Sequence, residues 1–214
     1  MTARRIRTLA AAALALAALG SPPALSADVD HYVLALSWSP TYCASRDPRD
    51  EPLQCALDAD HTFIVHGLWP NTAHAAPADC PTRARPPSRR TVDGMLDLMP
   101  DPGLVRYQWR KHGTCSNLSA RDYFETVRRA AAAITVPAGL ATLRKAIKVR
   151  PAVLREAFLR ANPDLPQDGI YIACRGEDLV DVRICLTPSL DFRDCPRVRN
   201  RRCRTPVLEI DPPR

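Results

Sequence analysis

Eight cysteines behind a short apolar leader constrain this chain more than any other feature. Arg4, Arg5 and Arg7 precede an apolar run from Leu9 to Leu19, and small residues follow from Ser21 to Ala27. That is the layout of an export signal. The run is too short for a membrane-spanning helix, which takes ~20 apolar residues, and no later segment offers an anchor. With residues 1–27 removed, 28–214 would form a single domain of roughly 187 residues, enough for a full core. Outside the cytosol, in the periplasm or as a secreted protein, the cysteines pair rather than stay free. Eight of them allow on the order of a hundred connectivities. No Cys-x-x-Cys spacing occurs, which argues against a zinc site. Nothing in the chain calls for a metal or another cofactor.

Two further segments carry chemistry. Phe63-Ile-Val-His66-Gly-Leu-Trp69-Pro70 and Tyr107-Gln108-Trp109-Arg-Lys111-His112-Gly-Thr-Cys115 each set a histidine beside a glycine, with a tryptophan close by. A hydroxyl attacking a neighbouring phosphodiester needs one group to take its proton and another to protonate the departing oxygen. Histidine does either near neutrality because its unperturbed pKa is ~6.5. Negative charge gathers on the non-bridging oxygens of the five-coordinate phosphorus, and a fixed cation such as Lys111 stabilises it. Aromatic rings supply faces on which unpaired bases stack. Taken singly, each of these residues is more often structural; the combination points to metal-free cleavage of RNA.

The two motifs resemble those of the ribonuclease T2 family, and Tyr32 to Cys43 resembles that family's first strand and first cysteine. The resemblance implies that His66 and His112 are the catalytic acid and base. The family's usual assignment gives the second histidine the 2′-hydroxyl and the first the leaving 5′-oxygen, an order the sequence does not fix. It further implies that Lys111 sits against the phosphate and that Trp69 helps to form a base pocket, with Tyr107, Trp109 and Asn71 on the substrate side. The products would be a 2′,3′-cyclic phosphate and then a 3′-phosphate, from single-stranded RNA with little base restriction. Disulfides Cys80 with Cys115, Cys174 with Cys203 and Cys185 with Cys195 are implied too, which leaves Cys43 with Cys55.

The chain departs from the family at three positions. Tyr107 and Gln108 stand where a histidine and a glutamate are usual, and Asn71 where an acidic residue is common. Tyrosine still donates a hydrogen bond. Gln108 is the more serious change, because an amide keeps geometry but can neither accept a proton nor tune His112 by charge. Losing a positioned electrostatic group commonly costs ~10² to 10³ in rate. A weakened or inactive relative that holds RNA, another polyanion or a protein in the same groove is therefore the alternative reading.

The precursor carries a formal charge of +7, and removing Arg4, Arg5 and Arg7 with no acid lost leaves +4. Arginines cluster at Arg83, Arg85, Arg89 and Arg90, again at Arg197, Arg199, Arg201, Arg202 and Arg204, and Arg106, Arg110 and Lys111 lie in or beside the second motif. Such clusters suit a polyanion, and equally a solvated surface. Strands are expected over 31–38, 62–66, 169–174, 179–186 and 206–210. Helices are expected over 91–99, 103–112, from 120 to about 134, and 152–160, with Ser119 and Asp122 capping the third. Tyr123, Phe124 and Val127 read as core. His31, His61 and His74 have no motif partner and are expected at the surface or a strand edge. The mixture lacks regular β-α alternation. It predicts a monomeric α+β fold, an antiparallel sheet packed with several helices and stapled by disulfides.

Overall fold

The computed structural model describes residues 28–46, 53–56, 59–196 and 203–213. The leader over 1–27 and the arginines at 197, 199, 201 and 202 lie outside the described residues. Six strands form one sheet: β1 His31–Trp38, β2 Phe63–Asn71, β3 Ile147–Val149, β4 Ile170–Arg175, β5 Asp178–Leu186 and β6 Leu208–Ile210. Their order is β2-β1-β5-β6-β3, with β4 pairing β5. All pairings are antiparallel except a single parallel contact of β5 with β6. The helices are α1 Ser39–Ala44, α2 Arg89–Asp93, α3 Pro102–Lys111, α4 Ala120–Ala132, α5 Ala138–Ala141 and α6 Pro151–Ala161. The fold is α+β.

Alternation sorts the central strands into two faces. Leu34 and Leu36 of β1, Val65 and Leu68 of β2, and Val182 and Ile184 of β5 join Tyr123, Phe124 and Val127 of α4 and Phe158 of α6 in the main core. On the opposite face Val33, Tyr171 and Cys185 pack together with Trp69 against them. β1 is covered on both sides, which is why its whole length is buried and reads as an almost continuous apolar run.

β2 differs from the expected strand over 62–66. It runs through Gly67 to Asn71, paired with β1 along its length, and the register slips once. Val65 opposes Leu36 and Gly67 opposes Ala35, so His66 is the extra residue of a β-bulge. A bulge breaks the period of two. Val65 and Leu68, three apart, can thus both face the core, while His66 and Trp69, also three apart, are left together on the other side. β2 is an edge strand, and its outer side is occupied. The Val65 amide donates to the Leu98 carbonyl at 2.8 Å, and the buried Tyr123 hydroxyl of α4 donates to the Leu68 carbonyl at 2.8 Å.

Helix starts follow local chemistry. Asp101 caps α3 by accepting from the amides of Gly103 and Leu104, with Pro102 in the first turn, and Ser119 caps α4 by accepting from the Asp122 amide. α2 is shorter than the expected 91–99. It stops at Asp93 because Gly94 takes its C-cap, and Met95 and Met99 reach the core from the turns that follow. The cysteines form Cys43–Cys55, Cys80–Cys115, Cys174–Cys203 and Cys185–Cys195. Among the described residues no helix is long and apolar enough to cross a membrane.

The Tyr123 hydroxyl is the anchor between α4 and the edge strand. Tyr123→Phe keeps the ring and removes the bond, and should cost about 1–2 kcal/mol, seen as a lower urea midpoint at unchanged slope. An unmoved midpoint would show that packing alone holds β2.

Candidate active site

The bulge presents His66 on the face opposite the main core. Its side chain is 36% exposed, with Nδ1 turned inward, 3.5 Å from Oδ1 of Asp181. Asp181 lies on β5 beside Ser37 of β1 and is 1% exposed. Its other oxygen accepts from Nε and Nη2 of Arg183 at 3.1 and 2.7 Å. Burial pushes the Asp181 carboxyl up, but the nearby imidazole of His66 and the bonded guanidinium of Arg183 outweigh it and hold the group below the usual carboxylate range. A carboxylate is therefore kept ionised behind an imidazole, at the cost of deep burial.

Trp69 is the piece that joins the two motifs. Its ring lies edge-on to His66 at 5.4 Å between centroids and tilted by 34° to His112 at 5.3 Å. The Arg183 guanidinium sits over the indole at 4.8 Å. The indole nitrogen donates to Oε1 of Gln108 at 3.0 Å. Gln108 comes from α3, is 1% exposed, and reaches β2 through the gap at Gly67. A Cβ there would stand 2.1 Å from Gln108 Oε1 and 2.8 Å from Trp69 Nε1. Gly113 does the same for the second motif, where a Cβ would meet Trp109 at 2.4 Å. Each glycine beside a histidine is thus the opening through which a neighbouring side chain enters.

His112 caps the C-terminus of α3, its amide bonded to the Gln108 carbonyl at 2.9 Å. Burial, then the charges of His66 and Lys111, lower its pKa to about 4, against a smaller upward pull from Asp79. His112 is consequently a neutral imidazole through the physiological range. Lys111 is tied to the Asp79 carboxylate. That bond and the attached charge raise its pKa, so it stays a cation. The Asp79 amide donates to the Lys111 carbonyl at 2.8 Å, and the adjoining Cys80–Cys115 bond clamps this segment to the end of the second motif.

The site therefore gathers His66, Trp69, Gln108, Lys111 and His112. Trp109 does not join them: it is 2% exposed, packed against Tyr123 in the main core, so no base can stack on it. The helical period explains this, since Trp109 points a quarter turn away from Gln108. Tyr107 is 46% exposed beside the site's helix, with Arg106 and Arg110 also exposed. Asn71 is buried and donates to the Trp69 carbonyl at 2.8 Å, and it lines a cavity of about 130 Å³ with His31, Val33, Thr72, Tyr171 and Cys185. His31 is not on the surface. It is 6% exposed at the start of β1, bonded to Asp30 at 2.9 Å. His74 is exposed and His61 half-buried. Asp181, Arg183 and Asp79 were not singled out by the sequence motifs. One sign was available for the first two: opposite charges two apart in the apolar strand Leu179 to Leu186 share one face. Among the described residues no group of three His, Cys, Asp or Glu side chains is placed to hold a metal ion.

The model described as the Ribonuclease T2 family matches residues 29–195. A ribonuclease of Aeromonas hydrophila is 41% identical over 100 residues, 46% of this chain and 43% of that protein. The chain spans about half the length, or less, of this relative and of those from Haemophilus influenzae and Escherichia coli. An RNase-related protein from Calystegia sepium superposes with a TM-score of 0.68 at 18% identity, over 87% of this chain and 99% of that one. RNase NT, in a structure in complex with 5'-AMP, gives 0.66 at 22% identity over 86% and 99%. At these identities the superpositions show the fold.

The gap at Gly67 tests the assembly directly. Gly67→Ala should cost about 1–3 kcal/mol by overpacking and alter tryptophan fluorescence as Trp69 and Gln108 part. Wild-type stability with unchanged fluorescence would mean that the two side chains do not depend on that opening.

Proposed function

The chain belongs to the ribonuclease T2 family, and from that premise we propose that it is an exported, metal-independent endoribonuclease acting on single-stranded RNA. One observation carries the reading: two histidines flank one indole in opposite electrostatic settings. His112 is held neutral at the end of α3, whereas His66 backs onto a buried carboxylate. A neutral imidazole is set to accept a proton, and an imidazole whose Nδ1 faces a carboxylate is set to donate one from Nε2. His112 accepts the 2′-hydroxyl proton as that oxygen attacks phosphorus. His66 gives a proton to the departing 5′-oxygen, and a 2′,3′-cyclic phosphate results. Water then opens the ring with the roles reversed, leaving a 3′-phosphate.

Lys111 supplies charge for the phosphorane. Its bond to Asp79 is open to solvent, and such pairs contribute little, so a phosphate can compete for the ammonium. Gln108 orients Trp69 and adds no charge. The partly exposed indole of Trp69 offers an aromatic face, and the Asn71 amide is spent on a backbone carbonyl. That composition favours stacking over base readout and hence low base specificity. Four disulfides suit an oxidising compartment, in line with the leader at 1–27, and the enzyme acts as a monomer.

Incubating the oxidised protein with single-stranded RNA and matched DNA in EDTA, with product ends read by mass, tests this. Cyclic and 3′-phosphate ends should come from RNA alone. His66→Ala or His112→Ala should each lower the rate by ~10²–10⁴, the contribution of a positioned acid or base. RNA held but returned uncut would make the protein a binding module instead.

The pH profile carries a second expectation. His112 must be neutral to act as base, so the active form exists above about 4 and is lost as pH falls through that value. Gln108→Glu places a carboxylate one turn before His112, favours its protonated form, and should move this acid limb to higher pH. A limb that stays in place would detach Gln108 from His112 and remove it from the electrostatics of the site.

A further inference from the structure

The two oxygens of Asp181 have different fates. Oδ2 is bonded twice by Arg183. Oδ1 is buried without a hydrogen-bond partner and faces Nδ1 of His66 at 3.5 Å, itself a buried atom without one. Unpaired buried polar atoms are rare in native proteins. Two that confront each other just beyond bonding length amount to one bond left open. If Asp181 served only as counter-ion to Arg183, nothing would require its second oxygen to be sealed against an imidazole.

We infer that Asp181 is a positioning residue for His66, accepting the Nδ1 proton at Oδ1 and thereby turning Nε2 toward the leaving oxygen. The pairing itself stands on geometry; what Nε2 meets rests on the ribonuclease reading. The two ring nitrogens point in opposite directions, so a bond at buried Nδ1 fixes the exposed edge of the ring. It also fixes the tautomer: after His66 gives up its Nε2 proton, the neutral ring keeps Nδ1–H on Asp181 and is ready to act as base in the second step. Arg183 completes the device. Lying over Trp69 at 4.8 Å and within 5.8 Å of the Tyr171 ring, it ties the carboxylate to the same indole that spaces the two histidines.

The charged groups around His66 are few. Asp181 and Arg183 face it from β5, and His112 and Lys111 approach from the end of α3 across Trp69, with Asp79 behind Lys111. Of these Asp181 comes to 3.5 Å from the ring, at its buried Nδ1 edge, so its removal should act on the orientation of His66.

Asp181→Asn keeps the shape and deletes the charge. With RNA as substrate, kcat should fall by about 10- to 100-fold, part of the ~10²–10⁴ of a positioned acid. KM should change less than about twofold, which separates loss of positioning from loss of binding. A kcat within about twofold of wild type, or a loss confined to KM, would overturn the positioning role. The second measurement needs no activity. In wild-type protein labelled with ¹⁵N-histidine, His66 Nδ1–H should give a downfield proton resonance protected from exchange, identified by its loss in His66→Gln. Its absence would refute the pairing. Its presence in a protein that leaves RNA uncut would refute the ribonuclease reading and leave the pairing intact.

Discussion

A single hydrogen bond, from the indole of Trp69 to the amide oxygen of Gln108, holds the two halves of the site in register. It joins an edge strand to a helix that the chain reaches only after a long excursion, and it passes through a gap that a methyl group would close. Around it the other parts take their places. His66 meets one edge of the indole, His112 leans on it, and Arg183 covers it while gripping Asp181. The histidines are therefore spaced by a rigid aromatic ring, which loses little entropy when substrate arrives because it is already fixed at both ends.

This arrangement changes what the usual family glutamate can be said to do here. An acid at position 108 would accept the same bond from Trp69, so the geometric part of its role survives in the amide. What is gone is its charge, and two carboxylates lie elsewhere in the site: Asp181 behind His66 and Asp79 beside Lys111. The first is buried, with one oxygen held by Arg183 and the other facing His66, and the second is exposed. Of the two, Asp79 exerts only a small upward pull on His112.

Local features of the fold were legible in the sequence wherever one signal dominated. β1 and the capped helix α4 announce themselves through an apolar run and through Ser119 with Asp122, and α3, Pro102–Lys111, closely follows the helix expected over 103–112. The disulfide partners were legible only by family resemblance, because spacing carries no connectivity. β2 misled: Gly67 looks like the end of a strand, and nothing in a local window distinguishes a glycine that stops pairing from one that makes room for a side chain far along the chain. Trp109 misled for a related reason. A tryptophan in a catalytic motif invites a role in binding, yet helical geometry sends it to the core while its neighbour Gln108 goes to the site. Asp181 and Arg183 gave only the sign of opposite charges two apart in an apolar strand, because that strand's place beside the motifs is decided by sheet order.

The extra residue in β2 makes the spacing of its motif a matter of parity. From Phe63 to Asn71 the strand carries one residue more than the stretch of β1 it spans, and the surplus lies at His66. Regular pairing of the same nine residues, without the bulge, would exchange inside for outside beyond His66, turning the indole to the helices and Leu68 to the opposite face. Deleting one residue between Val65 and Trp69 would instead leave Trp69 opposite Val33 and remove the bulge that presents His66. For this strand the length of the segment is as binding as its composition, and relatives should vary its side chains more freely than its residue count.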